Sequence, residues 1–143
     1  FHSSRWGAVA VAALLFIPLL VDVATLHPYQ GSYFNPATRA VAKQDLDNYF
    51  DLAYYATPYK QGLQWLSANA PEGARVRVAV TPGVIQAYEW REDLELSADP
   101  GSAYLMAVSA YPRQYNPNFW QEYPVVYRIT RMSSTILAVY KRQ

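Results

Sequence analysis

Cysteine is absent from this 143-residue sequence, which removes disulfide frameworks, thiolate nucleophiles and cysteine-ligated zinc from consideration. An oxidising compartment stays permitted without being required. Histidine is nearly absent as well, with His2 and His27 the only two, too few and too far apart in sequence to suggest a metal site. No Gly-rich phosphate loop, His-x-x-x-His pair or Gly-x-Ser-x-Gly elbow occurs, so no catalytic residue, metal ligand or cofactor is assigned. Charge is sparse and balanced: 16% of residues are charged, with 12 basic and 11 acidic. That balance argues against a nucleic-acid partner and against an acidic tail. Internal repeats and low-complexity segments are also missing.

What the sequence does have is apolar residues, 52% of the total, and their distribution is uneven. From Trp6 to Val21 there is no charge, and the apolar character continues past Asp22 through Val23, Ala24 and Leu26. At about 1.5 Å per residue, Trp6 to Leu26 covers roughly 31 Å, about the hydrocarbon thickness of a bilayer. Residues 1–26 therefore read as a transmembrane helix. Pro18 within it hints at a kink with packed neighbours, which membrane helices tolerate. Arg5 precedes the run and no basic residue follows until Arg39, so the positive-inside tendency puts the N-terminal end in the cytoplasm. The expected location is thus the cell membrane, with the C-terminal domain extracytoplasmic, either periplasmic or extracellular. Two other readings compete. A signal peptide needs a small-x-small cleavage site, which Val23-Ala24-Thr25-Leu26 matches poorly, and a buried soluble helix rarely runs so long without a polar face.

Residues 27–143 leave roughly 115 positions, room for one ordinary domain. The chain opens on Phe1 rather than methionine, and the expectation is the tail of something longer rather than a processed product. His27 to Pro36 carries proline, glycine and asparagine suited to turns, and Tyr29, Tyr33 and Phe34 suit the headgroup layer. Residues 37–55 read as a helix with a mixed aromatic face ending in Tyr54-Tyr55. Thr57 is the expected N-cap, with Pro58 at the first position, of a helix to about Asn69 that buries Leu63 and Leu66 with Trp65 alongside and is closed by Pro71-Glu72-Gly73. Arg75 to Val80 reads as a strand entering a core, 84–90 as a short helix, and Ala103 to Ser109 as a buried strand. Val125–Thr130 and Thr135–Tyr140, joined by Arg131-Met132-Ser133-Ser134, form a hairpin by spacing. The fold class is α/β: one N-terminal transmembrane helix followed by a small two-layer or three-layer α/β domain with a C-terminal β-hairpin.

Two clusters of carboxylates stand out. Asp47 and Asp51, with Asp45 nearby, could share a helix face, which fits a solvated surface better than an acid/base pair or a divalent-ion site. Glu89, Glu92, Asp93 and Glu95, with Arg91 among them, read as a surface loop without a site.

A span-length helix running into His27-Pro28-Tyr29-Gln30 and then Tyr33-Phe34-Asn35-Pro36 resembles the last membrane helix and following outer domain of bacterial polytopic glycosyltransferases of GT-C type. That family is related to protein O-mannosyltransferases and aminoarabinose transferases. Tyr59-Lys60-Gln61-Gly62-Leu63-Gln64-Trp65-Leu66 is similar to the Tyr-Lys-x-x-Leu-x-Trp-Leu helix of those tails, and Pro124–Tyr127 with Ala138–Lys141 to their terminal hairpin. The family often has Gly-Gly after the Asn-Pro and Asp-Tyr-Trp-Gly before the second helix. Arg39-Ala40 and Ala53-Tyr54-Tyr55-Ala56 stand there instead. The resemblance implies a polyprenyl-phosphate sugar donor and a catalytic aspartate in the first outer loop, outside this segment. The domain would then supply acceptor contact or closure over the site. His27, Tyr29, Tyr33 and Asn35 are the substrate-binding candidates, and pinning the helix exit to the domain is their bland alternative role. Implied partners are membrane lipid, the remaining helices of a parent protein, the polyprenyl-phosphate sugar and its acceptor. A different class also fits: a single-span structural, filament or assembly subunit whose tyrosine-rich outer domain binds proteins.

Overall fold

The fold is drawn from a computed structural model that describes residues 3–41, 57–79, 85, 87–108, 123–132 and 134–143. The chain divides into two units, Phe1–Tyr33 and Phe34–Gln143.

The first unit is dominated by helix α1, Ser3–Leu26, 24 residues long. Its stretch Arg5–Leu26 is long and apolar enough to cross a membrane, 22 residues or about 33 Å. Leu14, Leu15, Phe16 and Ile17 are 75%, 69%, 61% and 57% exposed. Four consecutive residues advance by about 100° each, so the apolar surface runs right round the helix rather than along one stripe. Such a surface needs an apolar surround. The helix continues through Pro18, whose ring removes one i→i−4 donor. It stops at Leu26, two residues before Pro28, where the ring of proline disfavours a helical predecessor. A short 3₁₀ turn, Gln30–Ser32, follows, closed by the Ser32 N–H donating to the Tyr29 carbonyl at 2.9 Å.

The second unit opens with α2, Pro36–Val41. Asn35 caps it: its Oδ1 accepts from the Thr38 N–H at 2.9 Å, and Pro36 takes the first helical position. The helix expected over 37–55 begins here. Its end at Tyr54-Tyr55, and the carboxylates Asp45, Asp47 and Asp51, lie outside the described residues.

Helix α3 spans Pro58–Asn69. Thr57 does not act as its cap, contrary to expectation: it has φ −49° and ψ −39°, already helical, and its hydroxyl makes no capping bond. A capping side chain needs extended backbone beneath it, so the helix start is set by the fixed φ of Pro58 instead. Tyr59, Gly62, Leu63 and Leu66 are buried, a spacing of three and four that makes one face. That face lies on the sheet, and Leu63 and Leu66, fully buried, each contribute about 1.5–3 kcal/mol of transfer free energy. Gly62 is where helix and sheet come closest, since a Cβ there would collide with Met106 Sδ and sit 3.1 Å from Leu137 Cδ2. Trp65 stacks on Tyr127 with ring centroids 5.1 Å apart, and Gln61 Nε2 donates to the Tyr127 hydroxyl at 2.9 Å.

The sheet has five strands: β1 Arg75–Val78, β2 Glu95–Ser97, β3 Tyr104–Val108, β4 Val125–Arg131 and β5 Ser134–Lys141. Their spatial order is β2-β1-β3-β5-β4. The pairs β1–β2 and β1–β3 are parallel, whereas β3–β5 and β5–β4 are antiparallel. Both faces are covered. Met106 and Leu137 meet α3 beside Gly62, while Leu105, Ala107, Ala138 and Tyr140 point the other way and cluster with Ala79 and Tyr123. Strands buried on both faces lose the apolar/polar alternation, and β3 and β5 accordingly read as continuous apolar runs.

The C-terminal hairpin is present, with a tighter connection than the four residues expected. Arg131 pairs with Ser134, so only Met132 and Ser133 lie between the strands, and Met132 takes φ 50°. Two-residue hairpins favour left-handed backbone because it matches the strand twist. Two further expectations need correction. Of the short helix expected at 84–90, the described residues 85 and 87–90 are turn, bend and irregular chain, with one Tyr88 N–H to Ile85 carbonyl bond at 2.9 Å. A lone turn has too few bonds to propagate, and the side chain of Ile85 is fully buried, anchoring the segment by packing instead. Likewise Glu95, expected in a surface loop, lies in β2, directly opposite Arg75 of β1.

Candidate functional site

The residues singled out by sequence are His27, Tyr29, Tyr33 and Asn35. His27 is exposed, and its ring Nδ1 lies 2.8 Å from the Gln30 side-chain amide, an i, i+3 contact across the start of the 3₁₀ turn. With the amide donating, Nδ1 is an acceptor and the Nε2–H faces outward as a donor. Tyr29 is 3% exposed, and Leu26 and Ser32 on either side of it are buried as well. Tyr33 is half-buried, and its N–H closes the turn onto the Gln30 carbonyl at 3.1 Å. Asn35 falls in the second unit, where its side-chain oxygen accepts from both the N–H and the hydroxyl of Thr38. The turn thus gathers His27 and Gln30, Tyr29 is committed to packing, and Asn35 to capping α2. His27 presents an open hydrogen-bonding edge, and the half-buried Tyr33 lies beyond the turn.

A second locus, which sequence reading passed over, forms where α3 ends. Its last carbonyls lack intrahelical donors and must be satisfied from outside. Arg91 does this for Ser67, reaching back some twenty residues with NH1 to its carbonyl at 2.8 Å, and NH2 adds bonds to the carbonyls of Ala70 and Pro71 just past the helix at 3.0 and 2.8 Å. The remaining edge of the guanidinium is gripped by Asp93, Nε to Oδ1 at 2.5 Å and NH2 to Oδ2 at 2.9 Å, the planar fork that arginine and carboxylate share. Asp93 Oδ2 also accepts from the Gly73 N–H at 2.8 Å, in a turn where Gly73 has φ 68°. Bonding to Arg91 first, and to Gly73 second, holds the Asp93 carboxyl below the usual carboxylate range, and the Asp93 bond raises the Arg91 pKa. Both shifts point the same way, toward the ion pair. The Arg91 backbone N–H donates to Ser67 Oγ at 3.1 Å, so the segment before it is fastened to α3 as well.

No protein-family model, curated protein or solved structure matches this chain.

Beside that fastening lies a cleft of about 680 Å³ between the outer face of α3 and residues 87–91. Lys60, Gln64 and Ala68, one α3 face at spacings of four, form one wall, and Tyr88, Glu89 and Trp90 the other. Among the described residues no group of three or more His, Cys, Asp or Glu is placed to hold a metal ion. The arrangement offers hydrogen bonding and aromatic surface rather than a nucleophile beside a base. A signal for the Arg91 staple did exist in sequence: one arginine inside an acidic run, and a helix end at Pro71-Glu72-Gly73 with carbonyls to satisfy. Pairing the two across twenty residues needed the fold.

Proposed function

We propose that this chain is the non-catalytic C-terminal portion of an integral-membrane glycosyltransferase that uses a polyprenyl-phosphate sugar. In that reading α1 is its last membrane helix and the α/β unit is an extracytoplasmic domain contributing acceptor contact or closure over the site. The observation that carries it is the passage from a helix with apolar surface on all sides, ending at Leu26, straight into His27-Pro28-Tyr29-Gln30 and the 3₁₀ turn with Tyr29 buried. Those residues bear the resemblance to the GT-C family. The Arg91–Asp93 pair closes the end of α3 and is a structural fastening.

Two measurements test this. The purified 143-residue chain should transfer no sugar from a polyprenyl-phosphate donor, and turnover by it alone would refute the non-catalytic assignment. An antibody against the α/β unit should detect a native polypeptide several times larger than 16.2 kDa with many more spans; a mature species near that mass would favour a single-span assembly subunit instead.

A further inference from the structure

We infer that the cleft between α3 and residues 87–91 is a binding site for a neutral saccharide. This deepens the proposed function by locating acceptor contact, and rests on that reading for its biological meaning only; the binding itself follows from the cleft. At about 680 Å³ it falls within the range of small-molecule sites and far exceeds what a single ion fills.

Its chemistry is mixed in a particular way. Tyr88 and Trp90 are half-buried aromatics on one wall, held there by the buried Ile85 behind them and the Arg91–Ser67 bonds ahead. An aromatic ring with one face open stacks on an apolar surface, and the Trp N–H and Tyr O–H keep a polar edge available. Opposite them, Gln64 offers both amide donors and an acceptor, Lys60 three donors and Glu89 an acceptor pair. A pyranose ring is the ligand that uses both halves: its C–H face lies on an aromatic ring while its rim of hydroxyls both donates and accepts.

Charge narrows the class further. The lining carries one Lys60 and one Glu89, equal in number and opposite in sign, and the Arg91 charge at the cleft's end is already matched by the bidentate Asp93. A site for phosphate or an acidic sugar would carry uncompensated positive charge, which this one lacks. The fit is therefore to uncharged sugar units.

The test uses the full chain in phosphatidylcholine nanodiscs, titrated with cellobiose, maltose and α-1,6-mannobiose and followed by ligand-observed NMR. Glucuronate, glucose 6-phosphate and the tripeptide Gly-Ser-Gly serve as comparison probes. At least one neutral disaccharide should bind saturably in the millimolar range. Trp90→Ala should weaken that binding about fivefold to tenfold. Because Trp90→Ala could disturb the segment, Ala68→Phe is the second variant: the position is exposed on α3, so the new ring fills the cleft without touching the core, and it should abolish binding with an unchanged circular dichroism spectrum. Failure of every neutral disaccharide to bind, binding indifferent to Ala68→Phe, or preference for a charged sugar or the peptide would each overturn the inference. Saccharide binding by a chain whose native form proves to be a small standalone protein would sink the glycosyltransferase reading and leave this one intact.

Discussion

Replacing Gly62 by alanine sets two effects of known size against each other. In an exposed helix the change is favourable by about 1 kcal/mol, because alanine loses less backbone entropy than glycine. Here the new methyl group would collide with Met106 Sδ and press on Leu137 Cδ2, side chains from β3 and β5 that are fully buried. Overpacking of that kind costs about 1–3 kcal/mol, and it is felt here because Met106, fully buried, must turn its sulfur aside within a packed core while Leu137 presses from the neighbouring strand. The net expectation is a loss of about 1 kcal/mol, or a fall in melting temperature of roughly 4–8 °C. Thermal unfolding followed through near-ultraviolet circular dichroism reads it, because the Trp65–Tyr127 stack sits one turn away on α3. A cycle with Met106→Ala sharpens the result: the alanine at 62 should be better tolerated once the sulfur is gone, with a coupling of about 0.5 kcal/mol or more. Stabilisation by Gly62→Ala in the wild-type background would refute the close approach of α3 to the sheet.

Acid should expose the Arg91 staple. The Asp93 carboxyl is held below its ordinary value, so its contribution is complete above the unfolded-state value of about 4 and is lost as pH falls through the lower folded value. Asp93→Asn should therefore be less stable at neutral pH and show a flatter decline below pH of about 4 in pH-dependent thermal scans. His27→Ala in the full-length protein should lower stability or expression in step with function if the turn only pins the helix exit. If the outward Nε2 edge contacts substrate, the same variant should fold normally and lose turnover or raise KM.

How far the sequence could be read depended on whether a signal was local. Helix α1, the start of α3 at Pro58, β1, β3 and the hairpin all rest on runs or punctuation that are contiguous in sequence. The connection at Met132-Ser133 was tighter than its sequence suggested because neither residue is the usual Asn or Gly of a two-residue turn. Strand β2 was missed: three residues, Glu95–Ser97, are too few to show a period, and their acidic neighbours suggested a loop. Thr57 carried a capping residue type in a position whose backbone cannot use it. The same limit applies to sites. His27 and Asn35 lie in one stretch of sequence and could be chosen from it, whereas the Arg91 staple and the cleft beside it join α3 to a segment some twenty residues later.

The central proposal, that α1 crosses a membrane and places the α/β unit on the side away from the cytoplasm, has one direct measurement. The chain has no cysteine, so single cysteines at Ser3 and at the exposed Ala98 can be labelled in intact cells with an impermeant thiol reagent against no background. Labelling at Ala98 and protection at Ser3 is the expected result, given Arg5 before the span and no basic residue after it until Arg39. Labelling at Ser3 with protection at Ala98 would reverse the orientation, and release of the labelled chain from membranes by carbonate washing would contradict the span itself.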